Sequence, residues 1–470
     1  MEERREMEWN PTWNDPLTEY LAPYHELIGD KRTRKTFDEI IKGIIGAGNV
    51  ICQQIAAHSP LLSQGERGAQ RVIRLASGES TKRSELDAEH LTAQLRTAAA
   101  EYLGQSSDEE IWLAADGSDL RKPYASELPY LMQVKDLDGK GLVPGYRTLN
   151  VLGITPGRRG ILSHRLFSSQ APGFVSEPTE VQQALKEVSQ ALAPFKGQKT
   201  ITWITDRGFD DVAVWRTIWE QGEHLVGRIY HLERLVEVVG PDGQWVQANL
   251  ARAQQRVRKI AHVETTMEVQ TGKQAHPKRQ PVEVEIAACP VRLTYSTAVR
   301  RKGEGQQVSK TLWLVQVSVL GTKQAPWLLL TDWPVEDEQS ALRIFMMYRE
   351  RWAAEDSFKV TKQCLGWEEV QVLDWQALQT LVALAWVTAG FLYQMGVTFQ
   401  WEEVQLIAKL GGWEPHKDRK PGRIILMRGL RRLIDMLVTQ SVLTRYAASH
   451  RGLPPNITAF LQGWTPPSQL

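Results

Sequence analysis

The sequence predicts a mixed α/β protein: a mixed sheet with helices packed against it, interrupted by a β-rich insertion and flanked by helical regions. Three observations predict it. Between residues 110 and 230, three apolar strand-like runs follow one another and then alternate with helical periods, the order of a sheet part antiparallel and part parallel. From about 233 to 333 the texture changes to alternating runs such as VEVEIAACPVRLTYST and KTLWLVQVSVLG, which read as strands. The residues before 105 and after 370 carry helical periods instead.

At 470 residues the chain exceeds one typical core. The expected regions are a helical N-terminal part (1–105), a first piece of the core (106–232), the β-rich insertion (233–333), a second piece of the core (334–372) and a helical C-terminal part (373–470). Residues 1–25 read as an irregular arm with two tryptophans. TFDEIIKGIIGAG, NVICQQIAAH and GERGAQRVIRLA follow as three short helices, with Asn49 as a candidate N-cap and Gly46–Gly48 as a stop. Residues 85–105 form another helix. IWLAADGSD then reads as a buried strand ending on an acid, and YRTLNVLGI and GILSHRLFSS as two more strands around a Pro156–Gly157 turn. Residues 179–193 have helical period, TITWIT (200–205) is a fourth strand, and DDVAVWRTIWEQG and HLVGRIY are a helix and a short strand. Residues 337–363 are predicted as one long helix with acids in its first turn, where the helix dipole favours them. That order suits a ribonuclease-H-like fold. A tail with two Pro-Pro pairs is expected to fray.

Composition narrows the function classes. The apolar fraction of 42% and charged fraction of 24% are those of a soluble globular protein. Cys52, Cys289 and Cys364 are scattered without disulfide or metal spacing, which points to a reducing compartment. Residues 1–20 are polar and acidic, unlike a secretory leader. The most apolar stretch, 381–393, is shorter than the roughly 18–20 residues of a membrane span and reads as a buried helix. A net charge of +1 argues mildly against DNA binding. The basic residues are clustered, however. Arg67, Arg71 and Arg74 recur at helical spacing with Lys82 and Arg83 beyond, and a second run spans Lys417 to Arg432. Three short helices with arginines along the last resemble a compact DNA-binding module; the plainer alternative is a solvated basic face.

The chemistry concentrates on Tyr348, Arg351, Glu355 and Lys362, spaced Y-x2-R-x3-E-x6-K. At 3.6 residues per turn these offsets return all four side chains to an arc of roughly 60°. A phenol, a guanidinium, a carboxylate and an ammonium on one face suit a phosphate backbone held beside a metal-binding acid. Asp116 and Asp206 each end an apolar strand-like run. With Glu355 they form a candidate triad for two divalent ions about 3.5–4 Å apart, the arrangement of phosphoryl transfer. Each acid also has an ordinary reading: turn or cap for the aspartates, an i,i+4 partner of Arg351 for Glu355. Asp119 is a rival to Asp116, which is preferred because it lies closer to the apolar run.

At these residues the chain resembles the DDE transposases of bacterial insertion sequences, in the insertion-sequence-four group that includes the transposon-five enzyme. Tyr348, Arg351, Glu355 and Lys362 match its YREK signature at every position, Asp206-Arg207-Gly208-Phe209 its D-x-G-F context, and Asp116-Gly117-Ser118-Asp119 the end of its first strand. PWLLLTDWPV (326–335) is similar to the strand before the signature helix, and LGGW (410–413), PG (421–422) and RG (428–429) are similar to its C-terminal region. The resemblance covers most of the chain from about residue 110. It implies a ribonuclease-H-like domain with a β-insertion, and catalysis by Asp116, Asp206 and Glu355 on two Mg²⁺ ions, with Mn²⁺ able to substitute. It implies nicking at transposon ends, hairpin formation and opening, and strand transfer into target DNA. Trp327 would stack on a flipped base, with Trp352 packing near it. Tyr348, Arg351, Lys362 and Arg228 would contact phosphates; Trp327 could instead be a core residue and Arg228 a surface charge. The implied partners are double-stranded DNA with terminal inverted repeats, target DNA and a second copy of the chain, with no membrane, in a bacterial cytoplasm. A DNA-binding regulator and a structure-specific nuclease of the same fold are the alternatives.

Overall fold

The computed structural model describes residues 15–62, 65–79, 86–137, 139, 141–269, 278–296, 307–414 and 420–461. Lys82, Arg83, Lys417, the N-terminal tryptophans and the second Pro-Pro pair lie outside them. The chain is 48% helical and 26% strand, a mixed α/β protein whose sheet contains parallel and antiparallel strands.

In chain order, α1 (Asp15–Leu21), α2 (Lys31–Ala47), α3 (Cys52–Ala57), α4 (Glu66–Ala76) and α5 (Ala88–Gly104) come first. The strands β1 (Glu110–Arg121), β2 (Met132–Lys135), β3 (Leu142–Ile154) and β4 (Arg159–Phe167) follow, then α6 (Glu177–Leu192), β5 (Thr200–Thr205), α7 (Val212–Glu220) and β6 (His224–Arg228). The predicted β-rich stretch contains β7 (Leu235–Val239), β8 (Trp245–Asn249), α8 (Leu250–Gln254), β9 (Arg258–Val269), β10 (Lys278–Ser296), β11 (Gln307–Val319) and β12 (Trp327–Thr331). Six helices close the chain: α9 (Glu338–Glu350), α10 (Trp352–Leu365), α11 (Trp375–Thr398), α12 (Trp401–Leu410), α13 (Arg423–His450) and α14 (Pro455–Phe460).

These elements divide between two compact units. One comprises Ala99–Asp119 and Arg147–Asp356, the other Met1–Ala98, Leu120–Tyr146 and Ser357–Leu470. In the first, the sheet order is β3-β1-β5-β6-β12-β11-β10-β7-β8, with β4 on β3 and β9 on β10. β1, β5 and β6 are parallel, whereas the pairings from β6 outward through β12, β11 and β10 are antiparallel. The insertion therefore extends the sheet rather than standing apart from it.

TITWIT shows why this sheet is apolar along its length. Ile201 and Trp203 point into a core built with Leu185 and Val188 of α6 and Trp215 of α7, while Ile204 points into another with Phe345 and Tyr348 of α9. Side chains alternate faces at period two, and both faces are covered, so neither set can be polar. Complete burial of each large side chain contributes about 1.5–3 kcal/mol.

In the helical unit, Asp30 caps α2 by accepting from the Thr33 N–H at 2.8 Å, and Gly48 ends it at φ 66°, a left-handed conformation that glycine adopts without strain. Asn49 is not the N-cap of α3; Ile51 is, and the Asn49 side chain accepts the Ile51 N–H at 3.0 Å. α11 is longer than the predicted buried segment. It is the one described helix long and apolar enough to cross a membrane, and 83% of its most apolar window is buried within the fold. The first Pro-Pro pair does not fray: Pro454 and Pro455 open α14, where a missing N–H costs nothing.

Candidate active site

The two aspartates are brought together by strand register. β1 and β5 run parallel with Ala115 opposite Thr205, so Asp116 and Asp206 are the next residues on adjacent strands. Carboxyl ends of parallel strands are where such sheets bind ligands. β5 stops at Thr205, and Asp206 caps the short 3₁₀ turn Arg207–Phe209 by accepting the Gly208 N–H at 2.8 Å. Asp116 is buried at 9% exposure and Asp206 is half-buried. Asp119, the rival, is held by Arg147 at 2.9 Å, which in turn reaches Glu177, so it is committed to an ion pair away from the other two acids.

Glu355 arrives from the helical segment after β12. The single helix expected over 337–363 is two, α9 and α10, meeting at Arg351. There the Arg351 N–H bonds the Tyr348 carbonyl and the Ala354 N–H bonds the Arg351 carbonyl, both three residues back. This tightened turn advances the helix phase relative to a regular α-helix. Tyr348 is consequently buried at 1% exposure, Arg351 is buried, and Glu355 is exposed. The Arg351 guanidinium spans two acids: Nη1 lies 3.2 Å from Asp116 Oδ2, and Nη2 bonds Glu355 Oε1.

The electrostatics tie the three acids into one neighbourhood. Burial pushes the Asp116 carboxyl up to about 7; Arg351 opposes this, while Asp206 and Glu355 each raise it further. Burial pulls Arg351 down, but Tyr348, Asp116 and Glu355 outweigh it and hold the guanidinium above its ordinary value. Burial raises the Tyr348 hydroxyl, with Arg351 and Arg228 pulling the other way. Arg228, at the end of β6, is lowered by burial and by Arg207 and Arg351, with Tyr348 partly compensating. Its proximity to Tyr348 is electrostatic, since no hydrogen bond of regular geometry reaches the buried Tyr348 hydroxyl.

Trp327 and Trp352 line one cavity of about 180 Å³ together with Met267, Arg279 and Arg349. Trp327 is a core residue at 4% exposure, with ring centroids 6.2 Å from Phe345 and 5.3 Å from Tyr348. Trp352 is 39% exposed. Arg349, which sequence reasoning does not single out, is fixed to β9 through the Thr265 hydroxyl at 2.9 Å and the Thr266 carbonyl at 3.2 Å. Its position two residues before Arg351 is the available signal. Arg207, within the D-x-G-F context, is likewise missed by the sequence reading.

Lys362 belongs to the helical unit, where it pairs with Glu368 at 3.2 Å. Arg67, Arg71 and Arg74 are in that unit too, on the exposed side of α4.

Three carboxylates offer the hard oxygen donors that Mg²⁺ prefers. Asp116, held up to about 7 beside two other acids, is a group whose ionised form a cation would stabilise. Among the described residues, no three Asp, Glu, His or Cys side chains close around a single ion position. Arg351 instead neutralises Asp116 and Glu355. The ordinary readings of these residues hold as well: Asp206 is a cap, Glu355 an i,i+4 ion-pair partner and Trp327 a core residue. In comparison with known proteins, the chain matches no family model and no curated protein.

Proposed function

We propose that this chain is a DDE-type DNA transposase of the insertion-sequence-four group, with a ribonuclease-H-like catalytic core. The single observation that carries the reading is the meeting of Asp116, Asp206 and Glu355, remote in sequence, in one electrostatic neighbourhood under Arg351.

Asp116, Asp206 and Glu355 would hold the metal. Divalent cations bound there, Mg²⁺ or Mn²⁺, would activate a water or 3′-hydroxyl and stabilise the leaving 3′-oxygen. The chain's own residues do the rest. Arg351 keeps two acids from repelling while the site is free of DNA and is placed to turn its guanidinium to a phosphate oxygen, a bidentate partner of the same charge. Arg228, already under-neutralised among Arg207 and Arg351, gains most from an approaching phosphate. Trp352 offers an exposed ring for a base extruded from the transposon end, worth about 1–3 kcal/mol of stacking, and Trp327 forms the cavity wall behind it. Lys362 would contact phosphate after releasing Glu368. The partners are DNA ends with inverted repeats, target DNA and a second copy of the chain, in a bacterial cytoplasm.

The test is Glu355→Gln assayed on DNA bearing the element's own ends. End binding stays within a few-fold of wild type and Mg²⁺-dependent nicking is abolished; substantial residual nicking sinks the assignment. A DNA-binding regulator is the second reading, favoured by Arg351 already occupying Asp116 and Glu355. Binding by the wild-type chain without any cleavage in Mg²⁺ or Mn²⁺ supports it. Cleavage without joint molecules indicates a nuclease.

A further inference from the structure

Within the helical unit, α2 and α4 enclose a groove of about 540 Å³ with cations on both walls. Arg32 and Lys35 stand three residues apart on α2, and Arg71 and Arg74 three apart on α4, so each wall carries a pair about one turn long. The two acids at the groove are committed elsewhere. Glu39 is buried and takes Lys42 at 3.1 Å, the Ser59 hydroxyl at 2.7 Å and the Leu61 N–H at 2.8 Å. Asp30 accepts the Thr33 N–H as the cap of α2. Arg32, Lys35 and Arg71 form no ion pair with a described residue. The Thr36 hydroxyl is spent on the Arg32 carbonyl at 3.0 Å. The groove therefore offers charge and, from Leu62 and Leu75, an apolar base, but few groups that could read a base edge.

We propose that this groove clamps one sugar–phosphate strand of duplex DNA between its walls, independently of sequence. The proposal rests on the reading of DNA as this protein's partner. Facing rows of cations repel each other unless a polyanion lies between them, and a ridge of phosphates supplies that charge along its length. Arginine and lysine side chains are long enough to follow it, and contacts of this kind set register without specifying sequence. The arginine stripe visible in the sequence is thus only half of the surface. Arg71 and Arg74 are one wall, Arg67 is not among the groove residues, and Arg32 and Lys35 form the wall the sequence does not suggest.

The experiment measures binding of the full chain to two unrelated 30-base-pair duplexes by fluorescence anisotropy across a salt series. R32A/K35A and R71A/R74A each flatten the slope of log affinity against log salt by about 0.9 for every phosphate left without its cation. The loss is equal on both duplexes, thermal stability is unchanged because the four side chains are exposed, and R67A leaves the slope alone. A wild-type slope in R32A/K35A overturns the clamp while leaving DNA binding intact. A loss confined to one duplex overturns it in favour of base reading. Displacement of duplex by polyaspartate of equal charge at lower concentration overturns it in favour of an acidic polypeptide. A wild-type chain that binds neither duplex removes the DNA reading itself.

Discussion

At the scale of single residues, Asp116 carries a measurable consequence of its position. An aspartate ordinarily titrates near 3.8, and this one is raised to about 7 by burial, with Asp206 and Glu355 adding to the effect. Between those values the folded chain keeps a proton that the unfolded chain has lost. The stability contributed by this group therefore falls as pH rises through the window and is level above about 7. At 1.36 kcal/mol per pH unit the loss is on the order of 4 kcal/mol at most. In EDTA, the wild-type protein is expected to melt at lower temperature at pH 8 than at pH 5.5, and Asp116→Asn to remove most of that difference. Adding Mg²⁺ at pH 8 should restore the wild type and not the variant, because only the carboxylate gains from binding in the folded state. Thermal denaturation at the two pH values decides it: an Asp116→Asn protein with the full wild-type pH dependence would show that another group is responsible.

At the scale of elements, legibility follows periodicity. TITWIT is legible to the residue as β5, because a six-residue apolar run between turns has one interpretation. Asp116 and Asp206 are legible as acids at strand ends, but their adjacency is not, since pairing register depends on a partner strand more than eighty residues away. β2, four residues with a half-buried pattern, gives too short a signal, and the tightened turn at Arg351 gives none, because helix phase responds to packing rather than to residue type. The glycines of LGGW and RG are legible only as a resemblance. The structure supplies their reason: a Cβ on Gly411 would strike the Ile425 carbonyl and one on Gly429 the Ile407 carbonyl, so α12 and α13 cross with their backbones in contact at two points. A carbonyl in a helix cannot move aside as a side chain can. Gly429→Ala is expected to destabilise the protein by about 1–3 kcal/mol, the usual cost of overpacking. Chemical denaturation reads this directly, and an unchanged midpoint would mean that the two helices separate freely.

At the scale of the whole molecule, the sequence suggests a helical DNA-binding module at one end and a separate helical region at the other, yet both ends share one compact unit. Ile45 of α2 lies with Phe391, Leu430 and Ile434 around one small cavity, and Gly46 has no room for a Cβ because Ile434 occupies the space. The Tyr20 hydroxyl donates to the Val387 carbonyl at 2.7 Å, Arg431 reaches the Ile45 carbonyl at 3.4 Å, and the Ser441 hydroxyl reaches that of Pro60 at 2.8 Å. Amphipathic helices declare that they have a buried face, but not which distant segment covers it. The consequence is testable by dissection. Residues 1–98 expressed alone would leave part of the Ile40, Ile41, Ile44 and Ile45 face in water, at roughly 1.5–3 kcal/mol for each side chain fully uncovered. Two or three such exposures equal much of the roughly 5–15 kcal/mol that stabilises a typical domain. The isolated fragment should therefore melt without a cooperative transition and bind ANS, and the groove between α2 and α4 should lose its salt-dependent affinity for duplex with it. A sharp transition in that fragment would mean instead that the N-terminal helices carry a sufficient core of their own.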